Sequence, residues 1–194
     1  MLTRRSLILS VAASAALPLI PSFAGQAEAA SRGKSRLDQL VRLIDPVVDL
    51  YSPNTEESLK VRFYGPTGYS PDAVRRINWF MRDWRQKETQ QFDIRVVWGL
   101  AALRHAGIKD GNAGLIRVNS GFRTKKTNSL LRGMGYGVAD NSFHLKAKAA
   151  DITMPGASVA DIATYAKWLE IGGTGHYPGR FVHIDSGEQR QWTG

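Results

Sequence analysis

Residue types that bind metal ions recur in the C-terminal half of the chain. His144 is followed by Asp151 seven positions later, and His183 lies near the end. The chain has no cysteine, so a metal site must use histidine, aspartate or glutamate. Two histidines and one carboxylate suit a catalytic zinc ion, which keeps a fourth position open for water. The spacing alone is weak evidence, because 17 of the 194 residues are acidic and chance matches are common.

The segments around these residues favour a common site. Residues 149–153 form an apolar run interrupted by Asp151, which is typical of a buried strand. An ionised aspartate there is costly unless it is paired or binds a metal. In a second predicted strand, residues 181–185, side-chain alternation places His183 and Asp185 on one face and apolar residues on the other. His183 and Asp185 should therefore project together from one face of a strand whose other face is apolar.

The remaining pattern predicts a mixture of helices and short strands without regular alternation, which indicates the α+β class. Ser70 and Pro71 have the residue types of a helix N-cap and first position. Gly107 is predicted to end the following helix. The other predicted strands cover residues 58–64 and 115–119, and the other predicted helices cover 92–105, 127–133 and a segment that begins at Ser158.

Three regions are predicted along the chain. Residues 1–30 have a charged start with paired Arg4 and Arg5, a short apolar run and small residues, the pattern of a signal peptide for twin-arginine export. Residues 31–57 are predicted to be a linker or N-terminal extension, and residues 58–194 a single domain. We therefore expect an exported protein of the periplasm or cell envelope, without a membrane span once the signal is removed.

The formal net charge of +9 favours polyanionic partners. Outside the cytoplasm these are carboxylates of the wall and lipid phosphates. No zinc-finger spacing or aromatic RNA-binding motif is present, so nucleic acid is not an expected partner.

Three motifs together resemble a known family. They are residues 120–124 (Ser-Gly-Phe-Arg-Thr), residues 141–144 (Asn-Ser-Phe-His) with Asp151, and residues 181–185 (Phe-Val-His-Ile-Asp). They are similar to those of the zinc D-Ala-D-Ala peptidases, which share a fold with hedgehog domains, and most of all to the murein endopeptidase MepK branch. The resemblance extends from Leu59 to Trp192. It implies a small antiparallel sheet flanked by helices.

The resemblance also implies roles for individual residues. It implies zinc ligands at His144, Asp151 and His183, and an Arg123 that faces the substrate. Ser142 is a further candidate for substrate binding or for support of the metal site. Ala147 stands where many relatives have a glycine.

The resemblance leaves the general base open. Other branches have an acid three residues before the last histidine, where this chain has Arg180. The MepK-like branch also lacks that acid. Asp185 is the first candidate for the base, with orientation of a ligand as its alternative role. His176 is the second candidate.

The function expected on these grounds is zinc-dependent hydrolysis of peptide cross-links in peptidoglycan, with stem peptides as partners. The bond lies either between D-Ala and diaminopimelate or between two diaminopimelates. Two alternatives are a non-catalytic wall-binding module and a D,D-carboxypeptidase that trims stem peptides. The sequence does not distinguish among oligomeric states.

Overall fold

The computed structural model describes residues 35–194, so the predicted signal peptide lies outside the described residues. The helices are α1 (Arg36–Leu40), α2 (Pro71–Phe80), α3 (Ile94–Lys109), α4 (Lys125–Gly133), a 3-10 helix (Phe143–Lys146) and α5 (Val159–Leu169). The strands are β1 (Val47–Tyr51), β2 (Ser58–Arg62), β3 (Tyr64–Gly65), β4 (Gly68–Tyr69), β5 (Ile116–Ser120), β6 (Ala149–Thr153), β7 (Gly173–Tyr177), β8 (Phe181–Asp185) and β9 (Arg190–Thr193). This mixture confirms the predicted α+β class.

Seven strands form one sheet in the order β2-β1-β5-β6-β8-β7-β9, while β3 and β4 pair separately. The sheet is larger than predicted and mixed, because β1 pairs with β5 and β7 with β9 in parallel. The other neighbours are antiparallel. A bulge interrupts the pairing of β5 with β6 between Val118 and Ser120 and leaves Ser120 opposite Asp151. The expectation of a small antiparallel sheet is therefore wrong in size and in strand direction.

Helices α3 and α5 pack on one face of the sheet and build the core there. Ile152 of β6 and its neighbour Val182 of β8 point into this core and are fully buried. Successive strand residues alternate between faces, so Asp151 and His183 lie on the opposite face. None of the helices within residues 35–194 has the length and hydropathy that crossing a bilayer requires.

The segment predicted to be a linker, residues 31–57, is part of the domain from Ser35 onward. Leu37 of α1 is fully buried, and a capping box between Ser35 and Asp38 begins that helix. Strand β1 lies between β2 and β5 within the sheet. The boundary predicted at residue 58 is corrected accordingly, because burial of apolar side chains outweighs the polar composition that suggested a linker.

Helix α2 begins as predicted, with the Ser70 hydroxyl accepting a hydrogen bond from the Ala73 N–H and Pro71 at the first position. The predicted end of the next helix at Gly107 is wrong, because α3 continues to Lys109. Gly107 instead allows close packing, since a Cβ there would lie 2.7 Å from the Met154 methyl carbon.

Candidate metal centre

The structure brings His144, Asp151 and His183 together on the sheet face opposite the core helices. Asp151 and His183 are direct cross-strand partners in β6 and β8. One Asp151 carboxylate oxygen lies 2.8 Å from His183 Nδ1 and 3.2 Å from His144 Nε2. The two histidine nitrogens are 3.3 Å apart. All three ligands predicted from the motifs therefore converge.

The backbone fixes which nitrogen His144 offers. Its Nδ1 lies 2.6 Å from the carbonyl oxygen of Gly121, which can only accept a hydrogen bond. Nδ1 must therefore carry the hydrogen, and Nε2 presents its lone pair toward Asp151. The 3-10 helix that holds His144 is capped at its start by Ser142, whose hydroxyl accepts from the His144 N–H, and at its end by Ala147, which has a positive φ of 53°. Glycine adopts that left-handed conformation without strain, so Ala147 holds it at a higher conformational cost than the glycine expected from the resemblance.

His183 uses the other ring nitrogen. Its Nδ1 faces Asp151, while its Nε2 lies 3.1 Å from a carboxylate oxygen of Asp185. Asp185 is fully buried, and its two oxygens also accept hydrogen bonds from Arg190. The N–H groups of Gly173 and Gly187 donate to the same carboxylate. Asp185 thus holds the His183 ring from the side away from the other two ligand residues.

The charges in the site are tightly coupled. Burial would raise the pKa of the Asp151 carboxyl, but His144 and His183 outweigh it and hold that pKa well below its usual range. Burial lowers the pKa of His144, which keeps that ring neutral. Burial also lowers the pKa of His183, but hydrogen bonds to Asp151 and Asp185 outweigh it and raise the pKa to about 9. At neutral pH and without metal, His183 is therefore an imidazolium, and its Nδ1 proton lies between the two rings and Asp151.

The donor atoms fit a tetrahedral metal ion. With zinc–ligand distances of about 2.0–2.1 Å, two ligands of a tetrahedral site lie roughly 3.3 Å apart. The three separations here, from 2.8 to 3.3 Å, are near that value. Two neutral imidazoles and one carboxylate are also the ligand types that zinc accepts, and both rings have a partner that orients them. The residues present thus fit the metal that the motifs imply.

Arg123 lies beside this cluster and is largely buried, with 8% of its surface exposed. Its guanidinium donates to the Ser142 hydroxyl over 3.1 Å. Burial lowers the pKa of Arg123, and the Asp151 carboxylate opposes that shift. The buried Nε of Arg123 has no hydrogen-bond partner within residues 35–194. The described protein groups therefore leave part of this guanidinium without a hydrogen-bond partner.

The segment that holds Arg123 is anchored to the end of α2. The Phe122 N–H donates to the Met81 carbonyl, and a Cβ on Gly121 would lie 2.5 Å from that same oxygen. Only glycine fits this approach, which explains Gly121 in the motif. The buried Asp83 accepts hydrogen bonds from the N–H and the hydroxyl of Thr124. Asp83 lies far from the motifs in sequence, and no spacing rule would have identified its role.

The two predicted candidates for the general base have different positions. Asp185 contacts the ring nitrogen of His183 that faces away from Asp151. His176 pairs with Val182 in the sheet, so its side chain lies on the face opposite His183. This placement argues against proton transfer by His176, because alternation along β7 directs its ring away from the cluster.

Strand β9 supplies two residues of the site to which the sequence analysis gave no role. Arg190 binds both oxygens of Asp185, and its guanidinium lies 4.9 Å from the centre of the Phe143 ring. The centres of the Trp192 and His183 rings are 5.3 Å apart. The resemblance extends to Trp192 and includes both residues, but it implied no role for either of them.

The chain is similar to known proteins over most of its length. The family described as peptidoglycan L,D-endopeptidase MepK matches residues 45–192. Peptidoglycan L,D-endopeptidase MepK of Escherichia coli (strain K12) is 33% identical over 147 residues, which cover 75% of this chain and 79% of that protein. Probable peptidoglycan L,D-endopeptidase MepK of Haemophilus influenzae is 32% identical over 143 residues, which cover 73% of this chain and 75% of that protein.

Proposed function

This chain belongs to the peptidoglycan L,D-endopeptidase MepK family, and from that premise we propose that it hydrolyses peptide cross-links of the bacterial cell wall. One observation supports this most strongly. Two imidazole nitrogens and a carboxylate oxygen lie within 3.3 Å of one another on a single face of the sheet, beside a largely buried arginine. Such a cluster has little use in a purely structural core, because buried charge is costly.

We propose zinc as the metal, held by His144 Nε2, Asp151 and His183 Nδ1. When bound, zinc polarises a carbonyl and lowers the pKa of a water molecule toward about 7. The hydrogen bonds from His144 Nδ1 to the Gly121 carbonyl and from His183 Nε2 to Asp185 keep both lone pairs directed at the metal. Hydrogen bonds from His183 and Arg190 outweigh burial and hold the pKa of Asp185 at about 2. So weak a base favours the orienting role for Asp185.

Arg123 is proposed to bind the substrate oxygen that becomes negative during hydrolysis, or a carboxylate of the stem peptide. Its proximity to the Asp151 carboxylate supports this role, and a hydrogen bond to Ser142 fixes the guanidinium. Ser142 therefore acts on the substrate through Arg123 and also caps the helix of His144. Loss of one such donor removes about 2.7–4 kcal/mol of transition-state stabilisation.

The relatives are named L,D-endopeptidases. Of the two cross-links considered, the bond between two diaminopimelates joins an L-centre to a D-centre, and we propose it as the substrate. Action on the wall requires export, which the pattern of residues 1–30 supports. We therefore place the protein in the periplasm or cell envelope.

Digestion of purified cross-linked peptidoglycan by the zinc-loaded protein tests this proposal. We expect release of monomeric stem peptides from dimers, and we expect a chelator to stop it. Mass spectrometry of walls rich in each cross-link type identifies the bond. Shortened stems with intact cross-links would instead indicate a D,D-carboxypeptidase, and binding without any product would indicate a wall-binding module.

The matched control is Asp151→Asn, which keeps size and burial but removes the negative charge of the cluster. We expect this variant to bind peptidoglycan and to release nothing. Equal product from the variant and the unmodified protein would show that the cluster is not the catalytic centre.

A further inference from the structure

Tyr177 lies on the same face of the sheet as His183. In the antiparallel pair of β7 and β8, Gly175 is opposite His183 and Tyr177 is opposite Phe181. Cross-strand partners share a face, and residues two apart along a strand do so as well. The side chain of Tyr177 therefore projects toward the metal-centre side, next to the gap that Gly175 leaves.

Trp192 fills that gap and connects Tyr177 to the cluster. A Cβ on Gly175 would lie 2.6 Å from the Trp192 indole, so the ring packs directly over the glycine. The same ring is 5.3 Å from the His183 ring, and its Nε1 donates to the Tyr177 hydroxyl over 3.1 Å. The phenol oxygen is thus separated from His183 by the width of one indole.

The hydrogen bond from Trp192 determines what the hydroxyl can do. An indole N–H is only a donor, so the Tyr177 oxygen accepts and its own hydrogen is directed elsewhere. Within the part of the chain that the structure describes, no protein acceptor is found for that hydrogen. The ring itself is fixed, because Phe181 stacks on it with ring centres 4.5 Å apart. A positioned donor without a protein acceptor is suited to a ligand oxygen.

Arg123 is close enough to Tyr177 to be affected by it. Burial lowers the pKa of Arg123, and Tyr177 is among the groups that oppose that shift. The two side chains come from different elements, the loop after β5 and strand β7. Two side chains that are distant in sequence therefore lie near the same metal-centre face.

We propose that Tyr177 is a catalytic residue whose hydroxyl donates a hydrogen bond to the scissile carbonyl oxygen as that oxygen becomes negative. This inference rests on the proposed peptidase function. The phenol keeps its proton throughout, so no proton is transferred by this residue. It acts beside Arg123, and the two donors share the developing charge.

Tyr177→Phe tests the inference, because it removes one oxygen and keeps the ring that stacks on Phe181. We expect kcat on a purified cross-linked dimer to fall about 100- to 1,000-fold with KM changed less than about threefold, as for loss of an oxyanion donor. Affinity for a phosphinate analogue of the scissile bond should fall in parallel. Zinc content, measured by atomic absorption, should stay at the level of the unmodified protein.

Tyr165→Phe is the matched control, since it removes the same atom from a buried tyrosine of α5 on the core face. It should leave kcat unchanged. An inactive unmodified protein would contradict the proposed function itself. An active unmodified protein with an equally active Tyr177→Phe variant would contradict this inference alone. Loss of zinc in Tyr177→Phe, or a change confined to KM, would also overturn it.

Discussion

The two histidines of the metal centre offer different nitrogens, and each choice has a visible cause. His144 donates from Nδ1 to the Gly121 carbonyl, whereas His183 uses Nε2 for Asp185. In each ring, the nitrogen that does not face the cluster is held by a hydrogen bond. Rotation of one histidine therefore cannot compensate for substitution of the other.

His183→Ala is therefore expected to lower zinc affinity by more than the roughly 10- to 100-fold typical of losing an outer partner. Cleavage of cross-links should become undetectable. His176→Ala is the comparison, because His176 lies seven residues earlier on the opposite face of the neighbouring strand. The His176→Ala variant should keep the zinc affinity and the cleavage activity of the unmodified protein. Zinc affinity is measured by competition with a chromophoric chelator, and unchanged affinity in His183→Ala would rule out the proposed ligand set.

The proton on His183 predicts how zinc binding depends on pH. The pKa of His183 is raised to about 9, so at pH 7 the metal must displace one proton from Nδ1. His144, whose pKa is lowered, contributes none. Calorimetric titrations in buffers of different ionisation enthalpy should show release of about one proton per zinc at pH 7 and less above pH 9. No release at pH 7 would show that His183 is neutral before zinc binds.

The same shift affects the stability of the metal-free protein. The pKa of His183 is higher in the folded state, about 9, than its ordinary value of 6.5. Its contribution is therefore complete below pH 6.5 and is lost as the pH rises to 9. Urea denaturation of zinc-free protein should show this loss, and His183→Gln should not. A flat pH profile for the unmodified protein would contradict the coupling to Asp151 and Asp185.

At the residue scale the sequence was sufficient to predict that His144, Asp151 and His183 belong to one site, because their motifs fix residue types and spacing. It was not sufficient to predict the role of Asp185. That role depends on which ring nitrogen of His183 faces Asp151, which is set by side-chain rotation and by the contact with Arg190. Neither the side-chain rotation of His183 nor the contact between Asp185 and Arg190 can be read from the sequence alone.

At the scale of elements, β9 stabilises the proposed metal centre without offering a ligand to the metal. Arg190 pairs with both oxygens of Asp185, which holds His183. Arg190→Gln should lower zinc affinity about 10- to 100-fold, as other outer partners of metal ligands do. Arg190→Lys should give a smaller loss, because it keeps the positive charge, but not full affinity, because one ammonium cannot replace the two-pronged contact.

Arg75→Gln is the control for this prediction. It removes an equal charge from an exposed ion pair with Asp72 on α2. Chelator competition should give the affinity of the unmodified protein for this variant. If Arg190→Gln also matched the unmodified protein, β9 would have no part in positioning His183.

The elements differ in how far their sequence predicts them. Strands β6 and β8 follow the expected bounds because they contain apolar runs and alternating residues. Strand β7 was not predicted, since its segment Gly-Thr-Gly-His-Tyr has two glycines and low strand propensity. It forms because β8 and β9 pair with it on both sides. Such stabilisation comes from distant segments, which local patterns do not contain.

At the scale of the whole molecule, the N-terminal segment contributes to the core. Leu37 is fully buried, whereas Leu43, six residues later, is 60% exposed. Leu37→Ala should therefore lower the free energy of unfolding by about 2–5 kcal/mol. Leu43→Ala should change it by less than about 0.5 kcal/mol. Urea denaturation measures the free energy of unfolding of both variants. Equally small changes for Leu37→Ala and Leu43→Ala would show that this segment contributes nothing to the core.

The bulge in β5 has a consequence for the order of side chains around the centre. Val118 points into the core opposite Ile152, yet Ser120, two residues later, is opposite Asp151 on the other face. The extra residue reverses the phase of the strand just before the loop of Gly121 and Arg123. If β5 paired regularly without the bulge, Asn119 would lie opposite Asp151 and Ser120 opposite Ala150, and every following side chain would lie on the other face of the sheet. Regular pairing of this sequence and the observed placement of Ser120 beside Asp151 are thus mutually exclusive at this position.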